Sequence, residues 1–541
     1  MIVGLIRAIG PAGKEMYMAI GKRCALLAVA VILCILGLNA QSPQYDLVLT
    51  GGTIYDGTGA AGVIGDIAIR DGAIVAVGKV GPSAGKRVID AKGLLVAPGF
   101  IDIHTHGDSG IVNEQLKSAQ NYIMQGVTTL VTGNCGGGTY DVAQYFERMR
   151  KQGAGTNVLH LVGHNTVREA VLKQADRAPS VQELDRMKVL VEKAMKEGAV
   201  GMSTGLFYAP GSYARIEEVV ELARVARQYG GIYTTHIRDE SDYTTGLKAS
   251  IAEAIEVGEK AGIPVEISHI KALGKPVWGL APEVCRMIEA AQARGVNVHA
   301  DQYPFSASST SLAAATLARW VQADGKTQER LRDPALLPKI KKEMAGNIAR
   351  RGGPETLLIA SFRAKPEWTG KNLLEISRLL GNDPVDAAIE ILLLGSASVI
   401  SFNMSEADIE FFMRKPYVAT ASDGDVVGFG NGLPHPRSYA TFTRKIRHYV
   451  LDRKVITMQA AIRAASGLPA EILGLKDRGL IKQGYAADLV VFDPAAIADK
   501  ATYENPHQYA DGIAFVIVNG KLAVDQGKLT TILAGRPLPM R

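Results

Sequence analysis

Short β-branched runs broken by glycine pairs occupy both ends of the chain, and between them apolar segments alternate with helical stripes. Over residues 45–96, "YDLVLTGGTIYDGTG" and "GDIAIRDGAIVAVGKV" read as strands interrupted by Gly-Gly, Asp-Gly and Gly-Thr turns. The last seventy or so residues have the same character, with "GLIKQGYAADLVVFDP" and then "DGIAFVIVNGKLAVDQGKL", where Asn519-Gly520 suits a hairpin turn. In the middle, a capping box of Ser180 and Glu183 opens a segment with Leu184, Met187, Val191 and Ala194 at helical spacing. The apolar segment "AVGMSTG" follows. A second stripe (Ile216, Val219, Val220, Ala223, Ala226) leads to "IYTTH", and further helices lead to "PVEISH" and "VNVHADQYP". Strands alternating with helices form a parallel sheet covered by helices. The expected fold is α/β: a (β/α)8 TIM-type barrel with an insertion, plus a small β-sandwich domain formed from both chain ends. The boundaries read as 45–97 and 465–541 for the composite β-domain and 98–464 for the barrel. A charged, helix-prone interruption lies at about 308–354.

The first forty residues differ from the rest. "GKRCALLAVAVILCILGLNAQS" has a basic start at Lys22 and Arg23, fifteen apolar residues from Cys24 to Leu38, and small Ala40 before a polar stretch. That is the layout of a cleaved signal peptide, for which Met18 is a more natural start than Met1. The rival, an uncleaved anchor, has to span ~30 Å of hydrocarbon with a short apolar run. The expected location is periplasmic or secreted, with no stable membrane span after signal removal. The formal charge of +6 also shrinks, because Arg7, Lys14, Lys22 and Arg23 against Glu15 supply half of it. No Lys/Arg run tracks a phosphate backbone, so nucleic acid is not an expected partner. Cys24 and Cys34 leave with the signal; Cys285 sits in an apolar helical pattern and reads as core, while Cys135 does not.

Chemistry concentrates where strands end. His104 and His106 follow "GFID", Cys135 follows "GVTTLVTGN", His236 follows "GIYTT", His269 follows "PVEIS" and Asp423 follows "PYVATAS". In a barrel these ends converge on one face. Each residue has a plain alternative: a histidine that merely hydrogen-bonds a neighbour, or a small cysteine filling a tight turn beside Gly136. Six ligand-type residues at five strand ends are harder to assign to a core. Imidazole, thiolate and carboxylate together suit zinc. Asp423, the strand-end carboxylate with such companions, is positioned to take a proton from water and return it to a leaving nitrogen. Lys271, two residues past His269, is placed for an anionic part of a substrate. His164 ends another strand and is a candidate contact. Arg238, Asp239 and Glu240 either orient His236 or pair with one another at the rim, whereas His160 and His299 alternate with apolar neighbours and read as structural.

"PGFIDIHTH", "TGNCG", "VGHNTVR", "GMSTGLFYAPG", "THIRDES", "ISHIKALG", "DQYPF", "ASDG" and "PHPRSY" together resemble the D-aminoacylase branch of the amidohydrolase superfamily, the N-acyl-D-amino-acid deacylases, from about residue 46 to the C-terminus. The resemblance implies a tight zinc site at Cys135, His236 and His269 and a weaker second position at His104, His106 and Asp423. It gives Asp423 the role of general acid/base. It also implies a grip on the substrate carboxylate by Lys271, Tyr303 and Arg437, the last of which could instead brace the Asp423 loop. The segment after Tyr303 becomes a lid. The implied substrate is a small N-acyl-D-amino acid. A dipeptide with a C-terminal D-residue fits the same cleft. A cyclic-amide hydrolase would need a bridging lysine on the fourth strand, where "AVGMSTG" has none, and a non-catalytic scaffold would have lost ligands that are all present here.

Overall fold

The computed structural model describes residues 10–37 and 44–540. Eight parallel strands follow one another around a sheet in chain order: β1 (Phe100–Asp102), β2 (Val127–Thr132), β3 (Asn157–Gly163), β4 (Gly201–Gly205), β5 (Ile232–His236), β6 (Val265–Ile267), β7 (Val298–Gln302) and β8 (Val418–Thr420). Just past the ends of β1 and β8 the ring closes: Thr105 bridges Gly424, Asp423 N–H donates to the His104 carbonyl (2.9 Å), and His106 N–H donates to the Gly424 carbonyl (2.7 Å). The sheet is therefore a barrel, as its alternating sequence implies.

Residue alternation sorts the two sides of the strands. On β3, Val158 and Val162 join the main core between barrel and helices, while Leu159 and Leu161 join Ile101, Val131, Val200 and Ile232 in a separate cluster. That cluster is sealed by Leu468, Ile472 and Leu473, from and just beyond the helix Gly467–Ile472, which touches β1 and β8. This short helix was expected in the β-domain from residue 465 onward, but it belongs to the barrel, because its apolar side chains fill the end opposite the ligand-bearing loops. The outer helices form as their stripes dictate. In Val181–Lys196 the Ser180–Glu183 capping box is present, and Met187, Val191 and Ala194 are fully buried.

Both chain ends share one nine-stranded sheet, built from strands within 45–98 and strands within 489–529. The strand Tyr45–Ile54 pairs with Gly85–Asp90 along its first half and Leu95–Pro98 along its second, and its antiparallel pairing with Val63–Arg70 on the other edge shifts register between Leu49 and Gly52. Changing partner midway bends the sheet over its own core of Leu47, Ile67, Ile69, Leu489, Val491 and Ile517. Gly51, at φ 68°, makes the kink possible.

The interruption between β7 and β8 is larger than the expected 308–354. It runs from the strand Ala307–Ser311 through Leu357–Phe362 to Ala397–Phe402, an antiparallel three-stranded sheet with Ala397–Phe402 in the centre. "TLLIASF" and "ASVISF", flanking two helices, continue the strand–helix rhythm on paper. They pair with each other instead, around a separate core that includes Leu312, Ile340, Met344, Leu357, Ile376 and Val399. Residues 24–37 of the N-terminal apolar segment lie in the helix Pro11–Gly37; Leu38 and Ala40 fall outside the described residues. No helix among the described residues is long and apolar enough to cross a membrane.

Candidate metal centre

All six strand-end residues meet at one mouth of the barrel. Cys135 is the hub. Its Sγ lies 3.4 Å from His104 Nε2, 3.7 Å from His236 Nδ1 and 3.5 Å from His269 Nε2. Beside it, Asp423 Oδ1 is 2.9 Å from His106 Nε2 and 3.6 Å from His104 Nε2. Donor atoms of His104, Cys135 and His269 form one compact triad, and those of His104, His106 and Asp423 form a second that shares His104.

The local backbone is bent to aim these groups. Cys135 (φ 51°), His269 (φ 37°) and Asp423 (φ 51°) all occupy the left-handed region that side chains other than glycine rarely adopt. Strain of this kind persists where the surroundings over-determine it, typically at functional sites. The glycines next to Cys135 answer to close packing: a Cβ on Gly163 would meet the Gly136 carbonyl at 2.2 Å, and one on Gly205 would meet the Cys135 carbonyl at 2.2 Å. The turn is tight, as the plain reading of Cys135 has it, yet its thiol faces three imidazoles.

Neighbouring groups fix the rings. Asp301 Oδ2 lies 3.2 Å from His104 Nδ1, while its Oδ1 accepts from the His269 backbone N–H at 2.9 Å. Glu240 Oε1 is 3.1 Å from His269 Nδ1 and accepts from Lys271 Nζ at 2.6 Å. These contacts leave the other ring nitrogens turned toward the sulfur, which is how carboxylates commonly orient metal-ligating histidines. Burial opposes charge throughout; it prevails at His236, whose imidazolium it disfavours, and is outweighed by mutual attraction at the other groups. Asp301 and Cys135 hold the His104 imidazolium well above its usual range, and His104 pulls the Cys135 thiol well below its own. Against burial, Arg437 and His269 keep the Asp423 carboxylate well below the usual carboxylate range, and the Asp423 contact pushes His106 up to about 10.

A divalent cation fits this donor set. Three ring nitrogens crowd a sulfur that carries at most one hydrogen, so protons serve these contacts only if at least two of the rings turn an N–H toward it, whereas a cation takes a lone pair from each donor. Around a tetrahedral ion, zinc–sulfur and zinc–nitrogen bonds of about 2.3 and 2.05 Å impose S···N separations of roughly 3.6 Å. The separations of His236 and His269 from the sulfur, 3.7 and 3.5 Å, bracket that value. His236 Nε2, the ring nitrogen away from the sulfur, is buried without a hydrogen-bond partner, 3.8 Å from Glu240 Oε2.

Above the donors lies a cavity of about 530 Å³, lined by Lys271, Tyr303, Asp423 and Arg437 among others, with one wall supplied by the insertion. Lys271 Nζ is not free within it, being committed to Glu240 and to His269 Nδ1 at 2.8 Å. Arg437 Nη1 sits 2.7 Å from Asp423 Oδ2, which matches the bracing role weighed for it. The ring of Tyr303 lies beneath both cations, 5.5 Å from Lys271 Nζ and 4.8 Å from the Arg437 guanidinium carbon.

His164 is a correction. It does not line the cavity; its Nε2 lies 2.8 Å from Glu218 Oε1, and Glu218 also pairs with fully buried Arg168. Ending a strand placed it at the right level, but the loop after β3 starts a helix immediately and turns the ring outward. Glu218→Ala strips the carboxylate from two buried partners and is expected to cost about 3–5 kcal/mol of stability. Chemical denaturation reads that loss; lost activity at unchanged stability would instead return His164 to the site. His160, expected to be structural, lies in the outer core 2.8 Å from Thr132 Oγ1.

Sequence reasoning missed Asp301, although it too sits at a strand end, and left Glu240 undecided between two roles. It gave no position to His435, which lines the cavity and accepts from the Arg437 backbone N–H at 3.0 Å.

The chain is similar to known proteins along most of its length. The amidohydrolase family model matches residues 87–339 and 371–524. A D-aminoacylase from Alcaligenes xylosoxydans xylosoxydans is 36% identical over 523 residues, covering 92% of this chain and 99% of the relative. A solved D-aminoacylase structure, described through the functional role of its binuclear metal centre, superposes with a TM-score of 0.79 at 33% identity, covering 92% of this chain and all of the other. The N-acyl-D-glutamate deacylase from Bordetella bronchiseptica, solved with zinc and a phosphonate mimic of the tetrahedral intermediate, gives 0.78 at 33% identity with the same coverage.

Proposed function

The chain belongs to the amidohydrolase family, in its D-aminoacylase branch, and from that premise we propose that it hydrolyses N-acyl-D-amino acids to a carboxylate and a free D-amino acid. The observation that carries this reading is the convergence of His104, His236 and His269 on the Cys135 sulfur with Asp423 alongside, under a cavity that offers cations to a carboxylate.

Cys135, His236 and His269 would hold one zinc ion tightly, and His104, His106 and Asp423 a second, weaker one. When bound, zinc activates water for attack and polarises the scissile carbonyl. Asp423 Oδ1 takes the proton of the attacking water and delivers it to the departing nitrogen. Its carboxylate is ionised at neutral pH, because Arg437, His269 and His106 outweigh the penalty of burial, so it is ready to accept that proton. Lys271, Tyr303 and Arg437 meet the substrate carboxylate and set the amide over the donors. Asp301 and Glu240 keep the imidazoles from turning. A cyclic-amide hydrolase is disfavoured by β4, Gly201–Gly205, which carries no lysine to bridge two ions.

The test is a hydrolysis screen of paired N-acetyl-D- and N-acetyl-L-amino acids with added zinc. Hydrolysis of D-substrates, with L-partners slower by roughly 100-fold or more (about 2.7 kcal/mol of transition-state discrimination), is the expected result. Activity confined to the L-series would refute the reading.

A further inference from the structure

Resting on the function just proposed, we infer that the cavity contains a second anion subsite at Arg351, and that preferred substrates carry a further carboxylate besides that of the D-amino acid.

Arg351 follows the insertion helix Leu337–Arg350, lines the cavity and is only 2% exposed. The other deeply buried guanidiniums each have a carboxylate: Arg168 has Glu218, Arg437 has Asp423 and Arg478 has Asp488. No carboxylate lies within ion-pair distance of Arg351 among the described residues; neighbouring Arg350 takes Asp242 instead. Arg351 Nε is buried without any hydrogen-bond partner. Its one polar side-chain contact is neutral: Nη1 donates at 3.1 Å to the amide oxygen of Asn403, in the amide orientation that also lets the Asn403 nitrogen donate to the Ser401 carbonyl. A guanidinium taken out of water without a counter-charge is costly to keep, and a fixed, forked set of donors suits a carboxylate. A structural role at the helix C-terminus would leave the guanidinium on the last carbonyls, where none of its hydrogen bonds goes.

The surrounding wall agrees. Among the residues that the insertion contributes to the cavity, Ser308–Ser311, Ser361, Ser398 and Arg351 are polar, and Ala360 alone is apolar. Arg319, which also lacks a carboxylate among the described residues, stacks 3.9 Å over Phe207 at the cavity edge and adds positive potential. Lys271 and Arg437 already face Glu240 and Asp423, so Arg351 is the cavity cation left to meet a second negative charge.

That charge has two possible sources: the side chain of the D-amino acid or the far end of the acyl group. Kinetics of the wild-type zinc enzyme on two matched pairs separate them: N-acetyl-D-glutamate against N-acetyl-D-glutamine, and N-succinyl-D-alanine against N-butanoyl-D-alanine. The acid of one pair should exceed its neutral partner in kcat/KM by roughly 10- to 100-fold, the worth of a charge-assisted hydrogen bond, mainly through KM. Arg351→Met should collapse that acid-to-neutral ratio toward one, and Arg351→Lys should restore part of it. If Arg351→Met does not fold, the wild-type ratios and the lysine variant decide. Neutral D-substrates hydrolysed with no preference for either acid, or a ratio unmoved by Arg351→Met, would overturn the subsite and leave the proposed function standing. No turnover of any N-acyl-D-amino acid would overturn both.

Discussion

Replacing Asp423 by Asn should lower kcat by roughly 10²- to 10⁴-fold, the range that general acid–base catalysis supplies, with a much smaller change in KM. The amide keeps the side chain's shape, and its oxygen still reaches the position 2.9 Å from His106 Nε2. What is lost is a proton acceptor of suitable basicity and the negative charge that faces Arg437. Because Cys135, His236 and His269 are untouched, the variant should retain its zinc, so metal analysis beside steady-state kinetics separates lost proton transfer from lost ligand. A kcat within threefold of wild type would remove Asp423 from the proton path.

Cys135→Ala should be more damaging and in a different way. The sulfur is the point on which three imidazoles converge. Removing a group that merely orients a ligand costs 10- to 100-fold in metal affinity; removing the central ligand should cost at least about that upper figure. Metal per purified chain should therefore fall to a small fraction of the wild-type value, and activity with it. The fold should survive, since alanine tolerates φ 51° no worse than cysteine does and the apolar cluster inside the barrel lies at the opposite end of the strands.

The sequence carried the barrel and its ligands because both follow from one geometric rule. Parallel strands read as apolar runs, and whatever ends them arrives at the same mouth; His104, Cys135, His236, His269 and Asp423 were legible for that reason. Roles that depend on a neighbour's exact position were not. Glu240 could have paired with Arg238, yet Arg238 is taken by Glu253 at 2.7 Å, which leaves Glu240 for His269 and Lys271. His164 obeys the strand-end rule and still turns away, toward Glu218. The insertion was underestimated because hydrophobic runs do not declare whether their partner lies parallel or antiparallel. Arg350 and Arg351 are adjacent and chemically identical; only the fold decides that one pairs with Asp242 at the surface and the other is sealed against the cavity.

The most direct measurement is the zinc-edge X-ray absorption spectrum of the purified wild-type protein, with Cys135→Ala reconstituted in excess zinc as the control. The expected wild-type spectrum contains one sulfur neighbour at about 2.3 Å together with nitrogen or oxygen neighbours at about 2.0–2.1 Å, and the sulfur shell disappears in the variant. A folded, active wild-type protein that binds no metal, or whose zinc has only nitrogen and oxygen neighbours, would contradict the centre built around Cys135.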